Sequence, residues 1–212
     1  MIDLGVLLAF VPAVTLVVLS PGPDTIYALT RGLSGGRADG IVAALGTATG
    51  VLIHTTAAVL GLAAILRASA EAYLLVTYMG AAYLVYLGVR TARNDESFEL
   101  RDGTVAEDRS LARSYRRAVV VNVSNPKVAV FVLAFFPQFV PAGANATLQM
   151  SVLGLSYAGL SLLYLCGVAL LAGRVRSLLL GSPIARRVIR YASGSVLIGF
   201  GVHLFVGDAA GI

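Results

Sequence analysis

Charge is scarce in this chain, and so are the residue types that enzymes and disulfide-stapled domains depend on. Of 212 residues 13% are charged, two are histidine, and one, Cys166, is cysteine. A single thiol cannot close an internal disulfide, and in an apolar stretch it reads as a small filler because such surroundings disfavour the thiolate. No Gly-x-x-x-x-Gly-Lys-Ser/Thr loop occurs, so the backbone cradle for ATP phosphates is absent and any active transport must draw on an ion gradient or the membrane potential. No His, Cys and Asp grouping has metal-ligand spacing, and His54 and His203 fall in different halves. Neither a metal, a cofactor nor enzymatic activity is expected. The N-terminus lacks a basic region and a small-residue cleavage site, so no removable signal peptide is expected and the first apolar run stays.

What is present is hydrocarbon. Hydrophobic residues make up 58% of the chain and the mean hydropathy is +0.85, whereas ordinary soluble domains carry about 25% charge. A membrane span needs about 20 apolar residues, and such runs fit six times, near 5–30, 40–66, 70–89, 118–141, 147–173 and 191–207. The expected fold is an all-α integral membrane protein with six transmembrane helices, the first and fourth broken at proline. One transport domain covers 1–212: a first half at 1–89, a charged loop at 90–117 and a second half at 118–212. With three spans in each half, the second half must enter the bilayer in the opposite sense, the inverted arrangement of many secondary transporters.

The net charge of +5 would suggest nucleic acid in a soluble protein, but the basic residues sort by loop. Arg31 and Arg37 lie in loop one, seven arginines between Arg90 and Arg117, and five between Arg174 and Arg190, which leaves Arg67 on the other side and Lys127 inside a span. Basic loops mark the cytoplasmic face. A multi-pass protein of the cytoplasmic membrane with both termini outside follows, with the lipid bilayer as partner and nucleic acid excluded. Loop 90–117 reads as a solvated connector, and Gly181 to Arg190 as a segment at the inner interface. Asn145-Ala146-Thr147 on the outer side matches a glycosylation tripeptide too common by chance to carry weight.

Two spans are interrupted deep inside, at Ser20-Pro21-Gly22-Pro23-Asp24 and at Ser124-Asn125-Pro126-Lys127. Irregular, charged backbone survives at membrane depth only against protein or a polar cavity. Counted from Arg31 and Arg117 at 1.5 Å per residue, both breaks lie about 12–14 Å inside the basic boundary, so they can meet. Pro23 and Pro126 suit the first turn of a resumed helix, with Ser124 or Asn125 as its cap. Free N–H groups and Lys127 then offer a receptor for a carboxylate, and Asp24 an acceptor for an ammonium group or a proton. All nine residues are candidates for the transport path, for a small zwitterion such as an amino acid. Against this, Asp24 can cap its own helix, and Lys127 can snorkel or lock onto Asp24; a charge at mid-membrane argues for pairing before it argues for transport.

Asp24 and His54 are the candidates for proton coupling, with His203 a weaker third near the outer end. Gly46 and Gly50 form a small-residue pair for close packing, within the chain or between copies in a homo-oligomer. Tyr73, Tyr78, Tyr83 and Tyr86 either line a cavity or pack.

Ser20 to Asp24 with Arg31-Gly32, Ala44-Leu45-Gly46 to His54, Tyr78 to Gly88, and Asn125-Pro126-Lys127 running into Phe135-Phe136-Pro137-Gln138-Phe139 follow one another as in the LysE/RhtB family of amino-acid exporters, which the chain resembles over nearly its full length. The resemblance implies a six-helix inner-membrane carrier that expels amino acids or related metabolites by proton exchange, with the Pro-Gly-Pro-Asp and Asn-Pro-Lys positions in its path. Within the spans Asp24 has no second deep acidic residue beside it, which favours neutral over dibasic substrates. A non-transporting scaffold or an intramembrane enzyme are the alternatives.

Overall fold

The computed structural model describes residues 4–68, 70–93, 110–140 and 145–209; the charged stretch 94–109 and the Arg67 side chain lie outside the described residues. Every regular element among them is helical. In chain order these are α1 (Leu4–Leu19), α2 (Pro23–Ser34), α3 (Gly36–Ala68), α4 (Ala70–Arg93), α5 (Leu111–Val123), α6 (Pro126–Val130), α7 (Ala146–Leu170), α8 (Ala172–Gly181) and α9 (Pro183–Ala209). Four helical stretches are long and apolar enough to cross a membrane, and two bent pairs bring the crossings to six when each pair is one span. The bends are 59° between α1 and α2 and 54° between α5 and the run Pro126–Phe139. Proline explains both, because it removes the N–H that a helix needs and collides with the preceding turn.

Beyond α6 the chain passes through a π turn at Phe131–Phe135 and a 3-10 turn at Phe136–Phe139. Pro137 sits in the second and cannot bond back to Leu133, and widening then tightening the helix absorbs that defect. The result turns Phe131, Phe135 and Phe136 inward, where they meet Phe10 of α1, Tyr157 of α7 and Phe200 of α9.

α3 is the central post, packed along both α5 and α7, while α4 runs along α9. The α4–α9 contact is antiparallel and close: a Cβ on Gly88 or on Gly194 would stand 2.7 Å from the other's carbonyl oxygen, and one on Gly201 2.6 Å from that of Ala81. Small residues of this kind let membrane helices approach without a solvent-driven hydrophobic force. Gly46 and Gly50 serve the same end inside the chain, against Tyr115, Ala118 and Asn122 of α5.

Helix ends depart from the sequence expectation in three places. Loop one shrinks to Gly35, with Gly36 at φ +82° beginning α3. The sixth span starts at Pro183 rather than 191, its first turn capped by Ser182 Oγ accepting from Ala185 N at 3.1 Å. The fifth expected span splits at Leu171 into α7 and α8.

Candidate transport site

The two breaks meet. Pro21 has no N–H for the carbonyl of Val17, and Pro126 none for that of Asn122, four residues back in each case. Unpaired carbonyls are costly away from water, and each is taken by a side chain from elsewhere in the fold. Lys127 Nζ donates to Val17 O at 3.3 Å and to Ser20 O at 2.7 Å. Asn122 O accepts from Asn125 N at 2.8 Å and from His54 Nε2 at 3.1 Å; a carbonyl can only accept, so Nε2 carries the proton in that bond.

Asn125 joins the halves. Its Oδ1 caps α6 by accepting from Lys127 N at 3.1 Å, and its Nδ2 donates to Asp24 Oδ2 at 2.7 Å. Asp24 does not cap its own helix; Gly22 stands at the N-cap of α2, which has no side-chain cap. Both ions are buried, Asp24 9% and Lys127 8% exposed, and each is hydrogen-bonded to the opposite break rather than directly to the other ion. Gly22 makes room for this: a Cβ there would lie 3.3 Å from the Lys127 ammonium.

Asp24, Lys127, Thr25, Thr47, Asn122 and Ser161 share one cavity with Val17, Val18, Val51, Tyr157, Tyr164 and Leu165. It has room for little more than one water, so this conformation is too tight for an amino acid. Three of the lining residues have polar atoms with no hydrogen-bond partner in the structure: Asp24 Oδ1, Thr47 Oγ1 and both amide atoms of Asn122.

The cavity is bounded differently along its length, and α7 serves as its ruler. Tyr157, Ser161, Leu165 and Ala169 recur at one face of that helix, all buried. At Tyr157 the aromatic cluster of Phe10, Phe131 and Phe136 closes one side. At Leu165 the small side chains of Ala28 and Ala44, with Leu162, Tyr164 and Cys166 packed against them, bound the other. Beyond them the buried ion pair of Arg31 and Asp39 spans α2 and α3, and Gly32 and Gly40 pack on Ala169. Arg31, expected as a loop charge, is thus an internal one.

Of the candidates, Ser20, Asp24, Asn125 and Lys127 are buried at the junction, and Pro21 and Gly22 are half-buried beside them. Pro23, Ser124 and Pro126 are exposed on the outside of the bends they cause. His54 touches the second break; His203 is exposed and lies against Phe135. Asn122 and Thr47 were not among the expected residues. Asn122 had a signal: it stands four positions before a proline inside a span, where a freed carbonyl must find a new donor.

Two broken spans clasped around buried opposite charges define a polytopic membrane transporter. The particular family follows from comparison: residues 15–208 match the LysE type translocator model, and the chain belongs to that family, which makes it a transporter rather than an enzyme. It is 31% identical over 196 residues to the homoserine/homoserine lactone efflux protein of Salmonella typhimurium, covering 92% of this chain and 94% of that one. A membrane protein of Vibrio cholerae is 31% identical over 98% of this chain and all of its own length, and one of Pseudomonas aeruginosa is 34% identical over 92% of each. No solved structure matches the chain.

Proposed function

We propose that this protein exports small neutral amino acids, homoserine-like compounds among them, across the cytoplasmic membrane in exchange for protons. The observation that carries the reading is the unused oxygen of a buried carboxylate: Asp24 Oδ1 has no hydrogen-bond partner and faces a cavity that also holds the Lys127 ammonium. An α-ammonium group fits the first. The substrate carboxylate fits beside Lys127, at the uncapped start of α2, where N–H groups and the positive helix end favour an anion. A side-chain charge would have no counter-ion within the cavity lining, which sets dibasic amino acids at a disadvantage. The homoserine efflux relatives support the direction and the substrate class.

Proton exchange uses Asp24, which binds either an ammonium group or a proton but not both, with His54 holding the neighbouring carbonyl. The arginine-rich end is cytoplasmic and both termini are outside, by the excess of basic residues at the ends of α2 and α4, at the starts of α3, α5 and α9, and at Arg174 and Arg176 of α8. Purified protein in liposomes loaded with an amino-acid mixture, under an imposed pH gradient, tests the whole reading. Selective, gradient-dependent loss of small neutral amino acids is the expected result. Retention of every compound would overturn it.

A further inference from the structure

Threonine within a membrane helix has a default: its hydroxyl donates to the carbonyl one turn back. Thr49, Thr55 and Thr56 of α3 do so, to Leu45, Val51 and Leu52 at 3.0, 2.9 and 2.9 Å, as do Thr15 of α1 and Thr77 of α4. Thr47, on the same helix, does not. It is 2% exposed, its Oγ1 has no hydrogen-bond partner, and it lines the cavity that holds Asp24. An unsatisfied hydroxyl at this depth is unfavourable, so its departure from the local bond marks a group aimed at something in the cavity.

Placement follows from the other two contacts. With the ammonium group at Asp24 Oδ1 and the carboxylate at Lys127 and the start of α2, the remaining wall includes Thr47 and Val51 of α3, Asn122 of α5, and Tyr157, Ser161 and Tyr164 of α7. We infer that Thr47 Oγ1 is the side-chain subsite: it hydrogen-bonds an oxygen on the substrate side chain, so that hydroxylated amino acids are preferred over aliphatic ones of equal size. The inference rests on the cavity being the transport site. Sites built to bond a substrate hydroxyl reject the analogue lacking it far more strongly than apolar pockets reject an added one.

Isosteric pairs test it. Uptake by counterflow into proteoliposomes is measured for threonine against valine and for homoserine against norvaline, with wild type, Thr47→Val and Thr47→Ser. Wild type should favour the hydroxylated member of each pair by roughly tenfold or more, Thr47→Val should collapse both ratios towards one, and Thr47→Ser should keep them. A wild type that transports amino acids without distinguishing the pairs, or a Thr47→Val that lowers both members equally, overturns the subsite and leaves the transporter reading standing. A wild type that carries no amino acid overturns the proposed amino-acid export itself, and the subsite with it.

Discussion

Asp24 spends one oxygen on Asn125 and keeps the other unbonded, whereas Lys127 spends its ammonium on two carbonyls of the first break, one of which, that of Val17, Pro21 has stripped of its helical partner. The two charges therefore answer differently to neutralisation. Asp24→Asn still offers an oxygen to Asn125, so insertion and folding should persist. What it loses is a charge-assisted bond to substrate, commonly about 1.5–3 kcal/mol, and gradient-driven efflux in proteoliposomes should fall at least about tenfold; an unchanged rate would remove Asp24 from the mechanism. Lys127→Met leaves Val17 and Ser20 with buried carbonyls lacking their donor, at roughly 1–3 kcal/mol each. It should lower the thermal midpoint in detergent as well as transport, and a variant that loses only transport would show the ammonium to be no structural partner. At this scale the sequence was legible where chemistry is rare, in an acid and a lysine inside hydrocarbon. Thr47 was not, because nothing in a threonine's neighbours along the chain says that its hydroxyl abandons its own helix.

The bent pairs are where local rules and the final geometry agree. Pro23 and Pro126 both open resumed helices, and Asn125 supplies a side-chain cap, as proline at a first helical turn and asparagine before it lead one to expect. Helix ends were less legible, because arginine is a good helix former whose long stem reaches the interface from within a helix; Arg186, Arg187 and Arg190 thus sit on α9 itself rather than in a connector. Glycine packing was visible as a pattern but not as a partner. A Cβ at Gly50 would lie 2.5 Å from Asn122 Oδ1, while one at Gly159 meets nothing within 4 Å. Gly50→Ala should accordingly displace Asn122, destabilise the protein and impair transport. Gly159→Ala should leave transport intact and gain up to about 1 kcal/mol from the better helix former. Thermal unfolding and efflux measured on both separate close packing from mere flexibility, and equal effects would deny the contact between α3 and α5.

At the scale of the molecule, six crossings place the ends of α2 and α4, the starts of α3, α5 and α9, and α8 at one end of the bundle, and these carry Arg31, Arg37, Arg90, Arg93, Arg113, Arg116, Arg117, Arg174, Arg176, Arg186, Arg187 and Arg190. The seals of the cavity are unequal along the same axis. Edge-to-face aromatic rings bound it towards the opposite end, and small side chains backed by the Arg31–Asp39 pair bound it towards the basic end. A buried ion pair tolerates the loss of one partner poorly, since an uncompensated charge is left behind, yet it can open as a unit if both ions reach water. Because α2 is flanked by Gly22 on one side and by Gly35 and Gly36 on the other, it is a short rigid piece between two bends, carrying Asp24 near one end and Arg31 near the other. If the basic end is cytoplasmic, swinging α2 away from α3 and α7 would admit a cytosolic solute to Asp24 while the aromatic side stays shut, the order of events that export requires. The orientation is directly measurable. A fluorescent protein that matures only in the cytoplasm should be dark when fused after residue 212 and bright when inserted between residues 94 and 109, and the reverse pattern would place Asp24 on the wrong side of its thinner seal for export.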